Sequence, residues 1–117
     1  MVTSSAVSIA AYGDTESSLR CEVRPERDAV RVLPVGALDM ATVPLLRAQI
    51  DELRQAGFRH LILDLGRLEF MDSCGLRLIL AVDAESRQDG FALSLAPGPR
   101  AVQRVFEVTG TTGLLPF

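Results

Sequence analysis

A strand-like apolar run, a short polar segment and a second apolar run follow one another in this chain, and they constrain its fold more than any other feature. Residues 61–65 are apolar except for Asp64, which is typical of a buried strand, and residues 76–82 form the second, mostly apolar run. A short polar turn and then residues 70–75 (FMDSCG) connect the two runs, so Ser73 lies where a loop leads into a predicted helix. Backbone N–H groups at a helix start lack partners within the helix, and the helix dipole favours negative charge there. A phosphate on Ser73 would meet this positive end.

The rest of the chain alternates between strand-like and helix-like segments. The predicted strands are 19–24, 29–35, 59–65 and 91–96, with a last edge segment at 114–117. The first predicted helix begins at Thr42, and two further helices cover about 73–88 and 100–108. Pro34 predicts an edge position or a bulge for the second strand. The order β-β-α-β-α-β-α predicts an α/β fold with a mixed sheet of four to five strands. In this sheet a β-hairpin precedes parallel βαβ crossovers, and three or more helices flank it.

The predicted topology brings two separate polar segments to one edge of the sheet. If the helices connect strands of a single sheet, strands 29–35 and 59–65 run parallel and end at the same edge. Asp39 follows the first of these strands, and Asp72 and Ser73 follow the second. Partner and ligand sites of open α/β sheets lie at this edge. The sequence therefore predicts a small polar surface of these three residues beside two helix starts.

Length and composition narrow the class of protein. A chain of 117 residues with 48% hydrophobic residues is expected to form one domain, here residues 18–117 after a mobile N-terminal tail at 1–17. The net charge of −3 does not favour direct nucleic-acid binding. Cys21, Cys74 and the single His60 cannot form a zinc site, so we expect free thiols and no bound metal. Without a long apolar run or a positively charged signal region, the chain is expected to be cytoplasmic and not membrane-bound.

Three segments resemble one bacterial protein family. Asp72-Ser73-Cys74-Gly75-Leu76, preceded by a hydrophobic strand and Phe70-Met71, is similar to the signature of anti-sigma factor antagonists, which are single-domain members of the STAS group. Residues 36–39 (GALD) and 102–110 (VQRVFEVTG) are similar to two further segments of that family. In their predicted strand–helix context, these matches are more specific than the short core alone. The resemblance covers residues 18–117 and implies a STAS-like fold.

This resemblance implies a regulatory protein rather than an enzyme. In the family, the unphosphorylated protein binds an anti-sigma factor that doubles as a serine kinase, and a sigma factor is released. That kinase, using ATP and magnesium, phosphorylates the serine at the position of Ser73, and a separate phosphatase resets the protein. No cofactor, nucleic acid or membrane is expected on this chain itself, which is expected to be a monomer or weak dimer. The residues implied in partner binding are Asp39, Asp72, Ser73, Cys74, Gly75 and Arg77.

Two positions depart from the family pattern. Ala37 stands where the family usually has Glu, so a carboxylate is missing beside Asp39. Arg77 stands where many members have a second glycine, and it adds a positive charge on the helix that carries Ser73.

Structural alternatives remain open for the same residues. Ser73 could serve only as a helix N-cap, since Ser is preferred there, and Asp39 could simply cap its loop. Gly75 could permit a close backbone approach or serve ordinary packing. Phe70 and Met71 could belong to the core, whereas an exposed position would make them candidates for partner binding.

Three other functions fit the sequence less well. A hydrolase would need a base near Ser73, but Gly-x-Ser-x-Gly is absent, and at roughly 3.3 Å per residue the strand places His60 on the order of 15 Å away. A two-component receiver domain would need a lysine, and the chain contains none. The nearer alternative is a non-switching STAS scaffold or accessory subunit, in a stress-signalling assembly or a lipid transporter, which would bind a partner through the same edge.

Overall fold

One mixed sheet and three helices make up the part of the chain that the computed structural model describes, residues 8–10 and 19–117. The strands are β1 (Ser8–Ala10), β2 (Leu19–Glu26), β3 (Ala29–Leu38), β4 (His60–Asp64), β5 (Leu68–Met71) and β6 (Ala92–Ala96). The helices are α1 (Val43–Gln55), α2 (Ser73–Asp89) and α3 (Arg100–Thr109), followed by a short 3-10 helix at Thr112–Leu114.

The strand order confirms the predicted mixed sheet. The strands follow one another as β1, β2, β3, β4 and β6, and β5 pairs separately with the far end of β3. Pairing is antiparallel from β1 to β3 and parallel for the other three pairs. Val30 lies opposite Leu61, so the predicted parallel pairing of the strands at 29–35 and 59–65 is confirmed.

Two strands were not predicted, so the described sheet has six strands rather than four or five. The sequence predicts no strand at β5. In the structure Leu68 and Met71 are buried and the two residues between them are exposed, so the segment does not alternate as a half-buried strand does. β1 lies within the predicted mobile tail and pairs with β2. The rest of that tail, residues 1–7 and 11–18, lies outside the described residues.

Pro34 does not lie on an edge strand, because β3 is flanked by β2 on one side and by β4 and β5 on the other. Gly36, two residues further on, donates its N–H to the Arg67 carbonyl at 3.4 Å, on the β4 and β5 side. The nitrogen of Pro34 points to the same side. There β3 pairs with β4 as far as Val32 and with β5 from Gly36 onward, so Pro34 lies in the gap between the two partner strands. No ladder hydrogen bond is therefore lost there. The prediction of an edge position is wrong, because β3 has partners on both sides, and the irregularity of β3 lies shortly after Pro34, between Gly36 and Ala37.

The core lies between one face of the sheet and the helices. Leu61 and Leu63 of β4 are buried together with Ile50 of α1 and Ile79 of α2. Residues of β4 that point the other way are half-exposed, and Asp64 there pairs with a guanidinium of β3 at 2.8 Å. The alternating burial along β4 therefore identifies the face of the sheet that the helices cover.

The helix ends agree closely with the predicted ones. α2 stops at Gly90, whose φ of 75° is a left-handed conformation that favours glycine. The predicted edge segment at 114–117 contributes one hydrogen bond to the sheet, from the Leu95 N–H to the Pro116 carbonyl at 2.9 Å. Across the described ranges, every helix is too short or too polar to span a bilayer.

Both cysteines are free thiols, as predicted. Cys21 is buried in the core, and burial raises the pKa of its thiol to about 11. Cys74 is half-buried at the start of α2. Nowhere in ranges 8–10 and 19–117 do three or more His, Cys, Asp or Glu side chains cluster so that they could hold a metal.

Candidate functional site

The two predicted polar segments meet where β3 and β5 end. The strands pair in parallel up to Leu38 and Met71, and the Asp72 N–H then donates to the Leu38 carbonyl at 3.2 Å. Asp39 thus follows the last paired residue of β3, and Ser73 lies two residues after the last paired residue of β5. The predicted proximity of the two segments is confirmed, although the contact is made through β5 rather than directly beside β4.

A bulge in β3 makes this arrangement possible. The register with β5 shifts between Gly36 and Ala37, and Gly36 has a φ of 116°, which is strained for any residue with a side chain. β3 pairs with β4 up to Val32 and with β5 from Gly36 onward. The irregularity therefore lets one strand serve two partners and directs its last residues toward the start of α2.

Asp72, not Ser73, is the N-cap of α2. Its backbone is extended, with φ −108° and ψ −170°, and its Oδ1 accepts the N–H of Cys74 at 2.8 Å and of Gly75 at 3.2 Å. The Asp72 carbonyl accepts the Leu76 N–H at 3.1 Å, which begins the helical ladder. The alternative in which Ser73 is only a cap is therefore wrong, because the preceding carboxylate already holds that place.

Ser73 is exposed as the first residue of α2. Its hydroxyl makes no hydrogen bond with any residue that the structure describes, while the Asp72 cap fixes the backbone on which it stands. The hydroxyl is therefore presented to solvent from a rigid position.

His60 lies at the other end of the sheet. It is the first residue of β4, and its Nε2 lies 2.8 Å from the Oγ of Ser94 on β6. It therefore cannot act as a base for Ser73 in this structure, because a general base must be within hydrogen-bonding distance.

Asp39 organises the loop before α1. Its Oδ1 accepts the N–H of Ala41 at 3.0 Å and of Thr42 at 3.1 Å. The Thr42 hydroxyl accepts the Asp39 N–H at 2.9 Å and donates to the Ala37 carbonyl at 2.7 Å, so it does not cap α1 as predicted. This reciprocal pattern resembles a capping box. The structure thus gives Asp39 the loop-capping role, and a partner contact by this residue stays a prediction.

Gly75 lets α2 begin directly against the ends of β3 and β5. A Cβ at this buried position would lie 2.7 Å from the Met71 Cγ and 2.9 Å from the Leu38 Cγ. Both distances are shorter than carbon atoms tolerate. The close-approach interpretation is confirmed, and any effect of Gly75 on a partner would act through this packing.

An apolar groove begins at Cys74, directly after the exposed serine. The groove, of about 430 Å³, lies between the start of α1 and the first turns of α2. Met40 is 76% exposed at this groove, and Phe70 is 51% exposed on β5, whereas Met71 belongs to the core. Phe70 therefore becomes a partner-binding candidate. The other apolar or weakly polar side chains of the groove are Val43, Pro44, Cys74, Leu78 and Ala81.

Arg77 is the charged residue at the rim of this groove. It is exposed, and it forms no hydrogen bond or ion pair with the residues at 8–10 and 19–117. The predicted site residues are therefore grouped at the start of α2 and the end of β3, with Ser73 and Arg77 exposed, Asp39, Asp72 and Cys74 half-buried, and Gly75 buried.

The groove itself was not predicted. The sequence predicts Val43 only as part of an apolar helix face and Leu78 only as part of the apolar run 76–82, and the exposure of Met40 depends on how the loop before α1 folds. The available signal was Met40 itself, an apolar residue directly after the turn residue Asp39.

Comparison with known proteins gives concordant results. A family model described as "Mlab, STAS domain" matches residues 21–116. The anti-sigma F factor antagonist of Paenibacillus polymyxa is 30% identical over 101 residues, which is 86% of each chain. The crystal structure of an anti-sigma factor antagonist from Mycobacterium paratuberculosis has a TM-score of 0.72 at 29% identity and covers 85% of this chain and 84% of that one.

SpoIIAA, a Bacillus cell fate determinant, is similar in two states. Its phosphorylated form has a TM-score of 0.63 at 26% identity and covers 81% of this chain and 87% of that one. Its unphosphorylated form, an anti-sigma factor antagonist, has a TM-score of 0.68 at 27% identity and covers 81% of this chain and 84% of that one.

Removal of the Asp72 cap should destabilise the fold. Asp72→Ala deletes the acceptor for two N–H groups, so we expect the free energy of unfolding to fall by about 1 kcal/mol. Asp72→Asn keeps an acceptor oxygen and should lose less than half of that. Urea unfolding of the three proteins measures this, and an equal loss for both variants would show that the hydrogen bonds are not the cause.

A side chain at position 75 should also destabilise the fold. Gly75→Ala gains roughly 1 kcal/mol of helix propensity but overpacks the contact with Leu38 and Met71, which typically costs about 1–3 kcal/mol. We expect a net loss of about 1 kcal/mol in chemical unfolding. Gly113→Ala is the control, since nothing lies within 4 Å of its Cβ position. A Gly75→Ala variant more stable than the parent would contradict the packing account.

Proposed function

The chain belongs to the STAS domain family and, within it, to the anti-sigma factor antagonists, and from this membership we propose a partner switch controlled by phosphorylation of Ser73. In its unphosphorylated form the protein binds an anti-sigma factor, and a sigma factor is released. The same anti-sigma factor acts as a serine kinase with ATP and magnesium and phosphorylates Ser73. A phosphatase restores the hydroxyl. The protein supplies no catalytic residue and acts in the cytoplasm.

The exposed, unbonded hydroxyl of Ser73 is the observation that carries this proposal. A kinase must bring its own base and phosphate donor to an acceptor hydroxyl, and Ser73 offers that hydroxyl on a backbone fixed by the Asp72 cap. The existence of a similar protein, SpoIIAA, in phosphorylated and unphosphorylated forms supports the same conclusion.

The surface around Ser73 has the composition of a protein-binding face. An exposed methionine, an exposed phenylalanine and an apolar groove lie next to polar groups, and such patches mark interaction sites. The proposed partner face therefore combines this apolar surface with the predicted residues, namely Asp39, Asp72, Ser73, Cys74, Gly75 and Arg77.

Phosphorylation would change the partner face more than the fold. A phosphoserine carries roughly −1.5 to −2 charges at neutral pH. The Asp72 carboxylate already accepts two N–H groups of the first turn, so these groups are not free to bind the phosphate. The phosphate stays exposed beside the carboxylate of Asp72, and Asp39 follows the paired strand end. A partner pocket shaped for a hydroxyl then meets added bulk, repulsion and a desolvation cost. A loss of roughly 3 kcal/mol would weaken binding more than a hundredfold.

Substitutions at position 73 should separate the two states. We expect Ser73→Ala to bind the anti-sigma factor constitutively, and Ser73→Asp or Ser73→Glu to bind at least tenfold more weakly because of the added charge. Calorimetric titration with the candidate anti-sigma factors of the source genome measures both affinities.

The control adds one negative charge elsewhere on the same helix. Gln88 is exposed 15 residues after Ser73, on the order of 22 Å away at roughly 1.5 Å per residue, so Gln88→Glu should bind like the parent. Equal affinity of the alanine and acidic variants at position 73 would refute the switch. Co-purification with transporter subunits instead of a kinase would favour the non-switching accessory role.

A further inference from the structure

We propose that Arg77 binds the phosphate of phosphorylated Ser73. Phosphorylation then removes both the serine hydroxyl and the Arg77 guanidinium from the partner face. The inference rests on the proposed function, because it requires that Ser73 carries a phosphate. It concerns a residue at which this chain departs from the glycine found in many family members.

The spacing on α2 places the two residues next to each other. Ser73 and Arg77 are four residues apart in one helix, and Cβ atoms at this spacing lie roughly 5–6 Å apart. Helical side chains lean toward the N-terminus, so the Arg77 side chain reaches over the turn that carries Ser73. Both residues are exposed, so neither must leave the core to meet the other.

The guanidinium of Arg77 has no other ionic partner in the described part of the chain. Its neighbours across the groove are Met40, Val43 and Pro44, which carry no charge. By contrast, Arg47 and Arg54 on α1 form ion pairs with Glu85 at 2.7 and 3.5 Å. Arg77 can therefore bind a new anion without breaking an existing ion pair.

Two carboxylates beside Ser73 would oppose a phosphate. Asp72 directly precedes it, and Asp39 lies at the end of the adjacent strand. A guanidinium binds phosphate through two parallel hydrogen bonds and is the side chain best suited to offset this repulsion. The second turn of α2 therefore supplies an internal counter-ion for the modified serine.

This pairing has a consequence for the partner. In the unmodified protein Arg77 is an exposed cation at the rim of the groove, available to an acidic group of the anti-sigma factor. Once it binds the phosphate, its charge is neutralised and its side chain is drawn toward Ser73. The partner then meets a new negative group and loses a positive one.

The test measures the phosphate directly and needs no kinase. Phosphoserine is incorporated at position 73 of the full chain during translation, and the second pKa of the phosphate, about 6 in a free phosphoserine, is followed by phosphorus NMR. Arg77 favours the dianion, so we expect this pKa to be lower in the parent than in Arg77→Gln by roughly 0.3 of a pH unit. The difference should shrink in 1 M salt.

Two control variants make the result specific. Arg77→Lys keeps the charge and should retain part of the shift, whereas Arg104→Gln removes an exposed arginine of α3 and should leave the phosphate pKa unchanged. The same phosphate pKa in the parent and in Arg77→Gln overturns the inference. A shift that is present while no kinase modifies Ser73 overturns the proposed function instead, so the two failures are distinguishable.

Discussion

The hydrogen bonds of Asp72 are the interactions on which the site depends. The main-chain N–H of Asp72 is bound to the carbonyl of Leu38, which ties the residue to the sheet, and its carboxylate is bound to two N–H groups of α2. One residue thus joins the end of a strand to the start of a helix. Ser73 comes immediately after Asp72, so its backbone is held in place by these hydrogen bonds. Gly75 has no Cβ, which allows the helix to lie this close to the sheet.

This construction accounts for the way a small chemical change could act on a partner without unfolding the protein. The cap already satisfies the N–H groups of Cys74 and Gly75, and the serine hydroxyl forms no hydrogen bond with the described residues. A modification of that hydroxyl would therefore leave the internal hydrogen bonds in place. It would instead change the binding properties of the nearby surface, which contains exposed apolar side chains and the cation of Arg77.

Much of the fold and the position of the site can be predicted from the sequence, because the spacing of apolar residues indicates which side of each strand or helix is buried. The mostly apolar run at 61–65 and the helical spacing in 43–53 indicate a mixed sheet flanked by helices. Parallel pairing then places the Asp39 and Ser73 segments at one edge. The sequence does not reveal β5, because its buried and exposed residues do not alternate. It also cannot place Pro34 at the gap between β4 and β5, because that gap depends on tertiary pairing. Sequence preference alone does not decide between Asp72 and Ser73 as the cap, since both residue types favour that position.

Identification of the phosphorylated residue is the most direct test of the central claim. The protein is incubated with ATP, magnesium and each candidate anti-sigma kinase of the source genome, and the modified peptides are mapped by mass spectrometry, with Ser73→Ala as the control. The account predicts that one kinase places a single phosphate on Ser73 and none on the variant. A phosphate on another serine or threonine, or none with any candidate, would contradict it.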